Sequence, residues 1–339
     1  MPALALPGFV NAHSHAFQRA LRGSEHGGDF WAWRDGMIQL AESVTVDEIR
    51  RGYVDVYREM VANGYTAVGE FHYLGLTEAH AAAEAGREAG IELVLLLSCY
   101  LRGGSPRFRQ ESVADYLRQL EELRGAGVRV GLAPHSVRAC PADALRELAR
   151  YADEHGLPLH VHADEQPREI AECVAEHGMR PIELLADTGC LGPRTTVVHA
   201  THADGRELDL LAAAGARICI CPTTEANLGD GFLPVLRVRH RGIPLCIGSD
   251  SNVRIDPLEE LRELEGIARR QSGRRGVVPL EELLRTGSLA GGEALGLDAW
   301  PDAAADLGHP QLDGVERDDA YGCLVFSCSG DVFRNTLAQ

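Results

Sequence analysis

Short apolar runs rich in β-branched residues recur along the chain, each bounded by Gly, Pro or polar residues. Eight stand out: LPGFVNAH at 6–13, YTAVGEFHY at 65–73, IELVLLLSCY at 91–100, VRVGLAPHS at 128–136, LPLHVHADE at 157–165, TTVVHATH at 195–202, ARICICPTT at 216–224 and IPLCIGSDS at 243–251. The intervening stretches carry a different period. In VADYLRQLEELRGAG, PADALRELARYADEHG and ADGRELDLLAAAG the apolar residues recur three and four apart and a glycine stands at the expected C-cap.

Strand and helix alternating eight times predict an α/β architecture, a (β/α)8 TIM-type barrel over residues 1–290, rather than an open doubly wound sheet. No G-x-G-x-x-G follows a strand, which argues against a dinucleotide site. From 291 to 339 the pattern becomes turn-rich, with CLVFSC as one strand candidate, and predicts a small C-terminal β element. No internal repeat or long linker interrupts the chain.

Composition narrows the partners. A formal charge of -17 disfavours nucleic acid and anionic membrane, which are bound chiefly by clustered positive charge. No run approaches the roughly eighteen apolar residues of a membrane span, and the first residues lack the n-region and cleavage site of a signal peptide. The expected compartment is the cytoplasm. The nine cysteines form an odd set scattered through apolar runs, which reads as free buried thiols rather than a disulfide framework. Cys219 and Cys221 find no second cysteine pair to complete a soft-metal site, and they too read as structural thiols. The chain contains no lysine, so every fixed side-chain cation is an arginine.

Candidate chemistry gathers at the C-terminal ends of the predicted strands, the face where barrel enzymes place their active sites. The first run ends in His13 and His15, which share one strand face. The fifth contributes His160, His162 and Glu165, the sixth His199 and His202, and the eighth Asp250. A nitrogen- and oxygen-rich set without thiolate suits one catalytic divalent ion, zinc by preference, with a position left for water. Two-metal barrels often bridge their ions with a carboxylated lysine, and this chain has none to modify.

The segments PGFVNAHSH, HVHADE, VVHATH and GSDS resemble the amidohydrolase superfamily, in its mononuclear deaminase branch. NAHSHAFQRALRG, FWAWR, EFHYL, GLAPHSVRA, HATHAD and CPTTEANLGDG are similar to the formimidoylglutamate deiminases of histidine degradation, over about residues 7–265. The resemblance implies a hydrolase of linear amidines that converts N-formimino-L-glutamate to N-formyl-L-glutamate and ammonia. It implies His13, His15, His162 and Asp250 as metal ligands, Asp250 also as the base, Glu165 as proton shuttle and His199 as the residue that orients the nucleophile. It places Gln18, Arg34, Tyr73, His135 and Arg138 on the carboxylates of a small dicarboxylate substrate, for which arginine forks are well suited. His160 is left at most a supporting role, and His202 none. Homodimerisation is a further expectation of the family.

Members of this family begin with a strand-rich segment that pairs with C-terminal strands in a small β-sandwich. Here the first barrel strand starts close to Met1, so either the true start lies upstream or half of that sandwich is lost, the C-terminal β element then being a remnant with strand edges unpaired near residues 320–330. Two rival functions remain open on the residues alone. One is a deaminase of the same branch acting on a nucleobase or an S-adenosylhomocysteine-like substrate; the other is a catalytically silent barrel.

Overall fold

The computed structural model describes residues 3–23 and 27–333. Strand β1 (Ala3–Leu6) precedes eight strands, one on each of the eight apolar runs, with β2 reaching one residue past its run: β2 (Phe9–Ser14), β3 (Tyr65–His72), β4 (Glu92–Cys99), β5 (Val130–Pro134), β6 (Leu159–Ala163), β7 (Thr195–His199), β8 (Arg217–Ile220) and β9 (Leu245–Ile247). Strands β2 to β9 pair in parallel in chain order, with helices between them. Both faces of a parallel sheet are covered in such a fold, which is why the strands read as continuous apolar runs: every residue of β2, β3, β5, β6 and β7 is buried. The three expected helices form over Val113–Gly125, Ala142–His155 and Gly205–Ala214. Gly156 and Gly215 end the last two in the left-handed conformation, and the Asp204 side chain caps the third.

The barrel closes where strand pairing is thinnest. Strand β9 has three residues, and the link from β9 back to β2 is a single parallel bridge between Ser14 and Asp250. His15 N donates to Asp250 O at 2.8 Å and Asp250 N to His13 O at 3.0 Å. Buried side chains reinforce this seam. Asn11 Nδ2 donates to Ser249 Oγ at 2.6 Å, Ser249 N to Asn11 Oδ1 at 3.0 Å, and Asn252 Nδ2 to Ser14 Oγ at 3.1 Å. Two glycines let the neighbours approach β2: a Cβ on Gly69 would lie 2.7 Å from Ala12 O, and one on Gly248 2.7 Å from His13 O.

The C-terminal region departs from expectation in one respect. Strand β10 (Ala303–Asp306) pairs antiparallel with β1 in a two-stranded ribbon, joining the two ends of the described chain. The run CLVFSC, expected as a strand, instead lies largely within a helix, Ala320–Ser327. Ala320, Leu324 and Val325, four and five residues apart, form its buried face, and Arg262 Nε on the helix Pro257–Ser272 donates to Val325 O at 3.1 Å. A helix satisfies its own amides, whereas an isolated strand here would need a partner edge. The strand edges expected near residues 320–330 are therefore absent among the described residues.

Asn11→Ala leaves the buried Ser249 amide without its partner and takes from the Ser249 hydroxyl one of its two, the bond to Asn252 Oδ1 remaining. It is expected to lower unfolding stability by about 1–3 kcal/mol, read by urea denaturation. Glu70, fully buried on β3, is pushed up to about 8 by burial, against the hydrogen bond it accepts from Ala16 N. The fold therefore favours its protonated form. The associated stability is present below the ordinary carboxylate range and is lost as pH rises towards 8. Glu70→Gln should flatten that decline in a pH series of melting temperatures; parallel curves for the two proteins would rule the effect out.

Candidate metal centre and active site

The C-terminal ends of three strands, β2, β6 and β9, bring His13, His15, His162 and Asp250 together, all buried, with one ligand atom from each within 4.8 Å of the others. The Nε2 atom of His162 lies 3.1 Å from His13 Nε2 and 3.4 Å from His15 Nε2, and Asp250 Oδ1 lies 3.4 Å from the Nε2 of both His13 and His15. Second contacts fix two of the rings. His15 Nδ1 donates to Phe71 O at 2.8 Å and His162 Nδ1 to His135 O at 3.0 Å, which leaves both Nε2 atoms as lone pairs aimed at the centre. His13 Nδ1 is buried without a hydrogen-bond partner. At most one proton, on His13 Nε2, can then sit among four acceptors.

The electrostatics follow from this crowding. Burial drives His13 down to about 3 against the pull of Asp250, and holds His162 well below its usual value with help from the surrounding histidines. Burial would raise Asp250, but its hydrogen bond with His13 and the adjacent imidazoles outweigh that and hold the carboxyl below the usual range. A neutral-imidazole and ionised-carboxylate set is what a divalent cation requires, so the residues present fit a metal.

His199 stands beside this cluster in a ring of carboxylates: Glu225 Oε1 at 3.2 Å from Nδ1, and Glu165 Oε1 at 3.6 Å and Asp250 Oδ2 at 3.8 Å from Nε2. Burial opposes protonation of His199, yet the three acids outweigh it and bring the imidazole up to about 10. Glu165 is raised to about 7 by burial, against the attraction of His199 and Arg138. Both His199 (φ 72) and Asp250 (φ 46) occupy the left-handed region, a strain that clusters at working sites; the seam hydrogen bonds hold Asp250, and Ala200 N, donating to Ala163 O at 3.0 Å, ties down the residue after His199.

All of the candidate substrate residues line the cavity over this cluster. Gln18, Arg34, Tyr73, His135 and Arg138 surround it with Phe30, Trp33, Met37, Tyr100 and Leu228. Gln18 Nε2 donates to Tyr73 Oη at 2.6 Å, leaving the buried Gln18 Oε1 unpartnered. Arg34, Tyr100, His135 and Arg138 also wall an adjoining chamber of about 220 Å³. Four arginines, Arg34, Arg102, Arg138 and Arg168, and one acid, Glu172, wall the chamber; the guanidinium carbons of Arg34, Arg138 and Arg168 lie 6.0, 5.8 and 4.4 Å from the Trp31 ring centroid.

Arg168 was not singled out in the sequence, because it sits one residue into the helix Pro167–His177 and looks like an ordinary partner for Glu172 four residues on. Glu225 was missed for another reason: it lies in the helix Pro222–Leu228, and only its contact with His199 shows its place in the site. His160 is buried and its Nε2 lies 2.8 Å from Ala294 O, a packing role below the cluster. His202 is not among the residues lining the cavity.

Known proteins share this layout. The amidohydrolase family model matches residues 4–299. Formimidoylglutamate deiminase of Pseudomonas aeruginosa is 40% identical over 290 residues, which are 77% of this chain and 63% of that protein, so less than two thirds of the relative's length is spanned. A 5-methylthioadenosine/S-adenosylhomocysteine deaminase of Natronomonas pharaonis is 30% identical over 347 residues, 98% of this chain and 80% of its own length. An amidohydrolase from Brucella melitensis superposes with a TM-score of 0.87 at 30% identity, covering 97% of this chain and 84% of that one. On a model match that runs through the whole barrel, and on a ligand cluster at the barrel mouth, the chain belongs to the amidohydrolase family.

Proposed function

We propose that the chain hydrolyses N-formimino-L-glutamate to N-formyl-L-glutamate and ammonia, using one zinc ion held by His13, His15, His162 and Asp250. The observation that carries the substrate is the basic chamber. In a protein of formal charge -17, three arginines converge on Trp31 beside the ligand cluster, where a dicarboxylate would need them. A nucleobase or methylthioadenosine carries no carboxylate for such a pocket to hold, and S-adenosylhomocysteine carries one where N-formimino-L-glutamate carries two. The 40% identity to a formimidoylglutamate deiminase supports the same reading.

The reaction is H2O + R–NH–CH=NH → R–NH–CHO + NH3. When bound, the cation supplies Lewis acidity and makes water a better acid. Asp250, ionised at neutral pH, takes a proton from the attacking water. Glu165, raised to about 7, can both hold and release a proton near neutrality, and so protonates the nitrogen that leaves. His199 lies between Glu165 and Asp250, where it orients the water and hydrogen-bonds the reacting centre. Arg138 and His135 hold one carboxylate, Arg34 faces the same chamber, and the Gln18–Tyr73 pair supplies uncharged hydrogen bonds.

Ammonia release from N-formimino-L-glutamate, compared with S-adenosylhomocysteine and guanine, tests the assignment; turnover of either comparison compound in preference to the first would overturn it. Asp250→Asn should keep the far-ultraviolet circular dichroism of the parent but lose metal and lower kcat by about a hundredfold or more. Arg138, with a side chain only 20% exposed, should cost roughly 2–5 kcal/mol in kcat/KM when replaced by alanine. Arg168, 61% exposed and already paired to Glu172, should cost less than about 1 kcal/mol. Equal losses for the two variants would place the clamp elsewhere.

A further inference from the structure

One inward thiol is left over by this reading. Cys221 follows β8 and, with Cys219 and Cys246, joins a small buried cluster inside the barrel that also contains Ala12 and Val198. A sulfur here would pass as packing, except for its neighbours. His199, Cys221 and Asp250 each present a ligand atom within 4.8 Å of the other two, and all three are buried.

We propose that these three residues form a second cation subsite, selective for thiophilic ions, which fills after the first site and stops turnover. The proposal rests on the metal reading of the first site. Asp250 can serve both: Oδ1 faces His13 and His15 at 3.4 Å, while Oδ2 faces His199 at 3.8 Å, so the carboxylate is placed to bridge two ions. The surroundings are electron-rich. Glu165 and Glu225 flank His199 at 3.6 and 3.2 Å, and the buried Oε2 of Glu225 has no hydrogen-bond partner.

A thiolate, an imidazole and a carboxylate favour Zn2+ or Cd2+ over Mg2+, Ca2+ or Mn2+. On binding, Cys221 gives up its thiol proton to solvent, and the His199 nitrogen that faces the ion must be unprotonated. The second ion would then occupy His199 and Asp250 Oδ2, the groups that position water and accept its proton in the proposed reaction. Inhibition by excess zinc or cadmium is the consequence.

The test starts from the protein loaded with one equivalent of Zn2+, in a Cys323→Ser background that removes the half-exposed thiol. Titration with Cd2+ should bring up an ultraviolet cadmium–thiolate charge-transfer band, release protons and abolish turnover. Cys221→Ser, or Cys221→Ala if the first folds poorly, should lose the band and the inhibition while keeping the first ion and the basal rate. Cys219→Ser should keep the band. A band that survives in the Cys221 variants, or none in the parent with its first ion in place, overturns the second subsite alone. A parent that takes up no first ion overturns the metal reading as well.

Discussion

Four electron-pair donors meet at the mouth of this barrel with room for no more than one proton among them. Carbonyl groups on Phe71 and His135 take the Nδ1 protons of His15 and His162, and burial keeps His13 and His162 neutral. Left to themselves, lone pairs 3.1–3.4 Å apart repel, and the low-dielectric surroundings make that repulsion strong. A cation is the physical condition under which the arrangement is favourable. With the ring of acids around His199 and the arginines around Trp31, it makes three neighbouring regions of different character: a cluster of ligand atoms, a buried ring of carboxylates and a basic chamber.

Those regions depend on one another through short distances. Asp250 belongs to the first and second, Glu165 feels both His199 and Arg138, and Arg138 belongs to the third. A change in the charge of one is therefore felt by the next. The proximity also explains why Glu165 is held near neutrality: burial raises it, and the two flanking cations bring it back.

Much of the barrel and of its mouth could be read from the chain, because parallel strands buried on both faces leave an unbroken apolar signature and the polar residues interrupt it only at the strand ends. Strand β10 was hidden for the opposite reason. Its AAAD sequence has no strand preference of its own, and it pairs because β1 lies alongside. CLVFSC misled because a short apolar run does not reveal its period; only the burial of Ala320 with Leu324 and Val325 shows that it is helical. In the site, histidines and Asp250 announced themselves by position, whereas Arg168 owes its surroundings to Trp31 on the helix Phe30–Ser43, and Glu225 and Cys221 owe theirs to His199 and Asp250. Spacing along one segment cannot show such contacts.

The seam between β9 and β2 has a mechanical consequence. His13 and His15 stand on one side of it and Asp250 on the other, where a single backbone bridge and a few buried amides hold the hoop shut. An ion gripped by both sides would act as a rivet across this joint of the barrel, adding its binding energy to the stability of the closed form. Chelation would thus do more than silence chemistry: it would loosen the wall at that joint first, while the helices on the far side of the barrel remained in place.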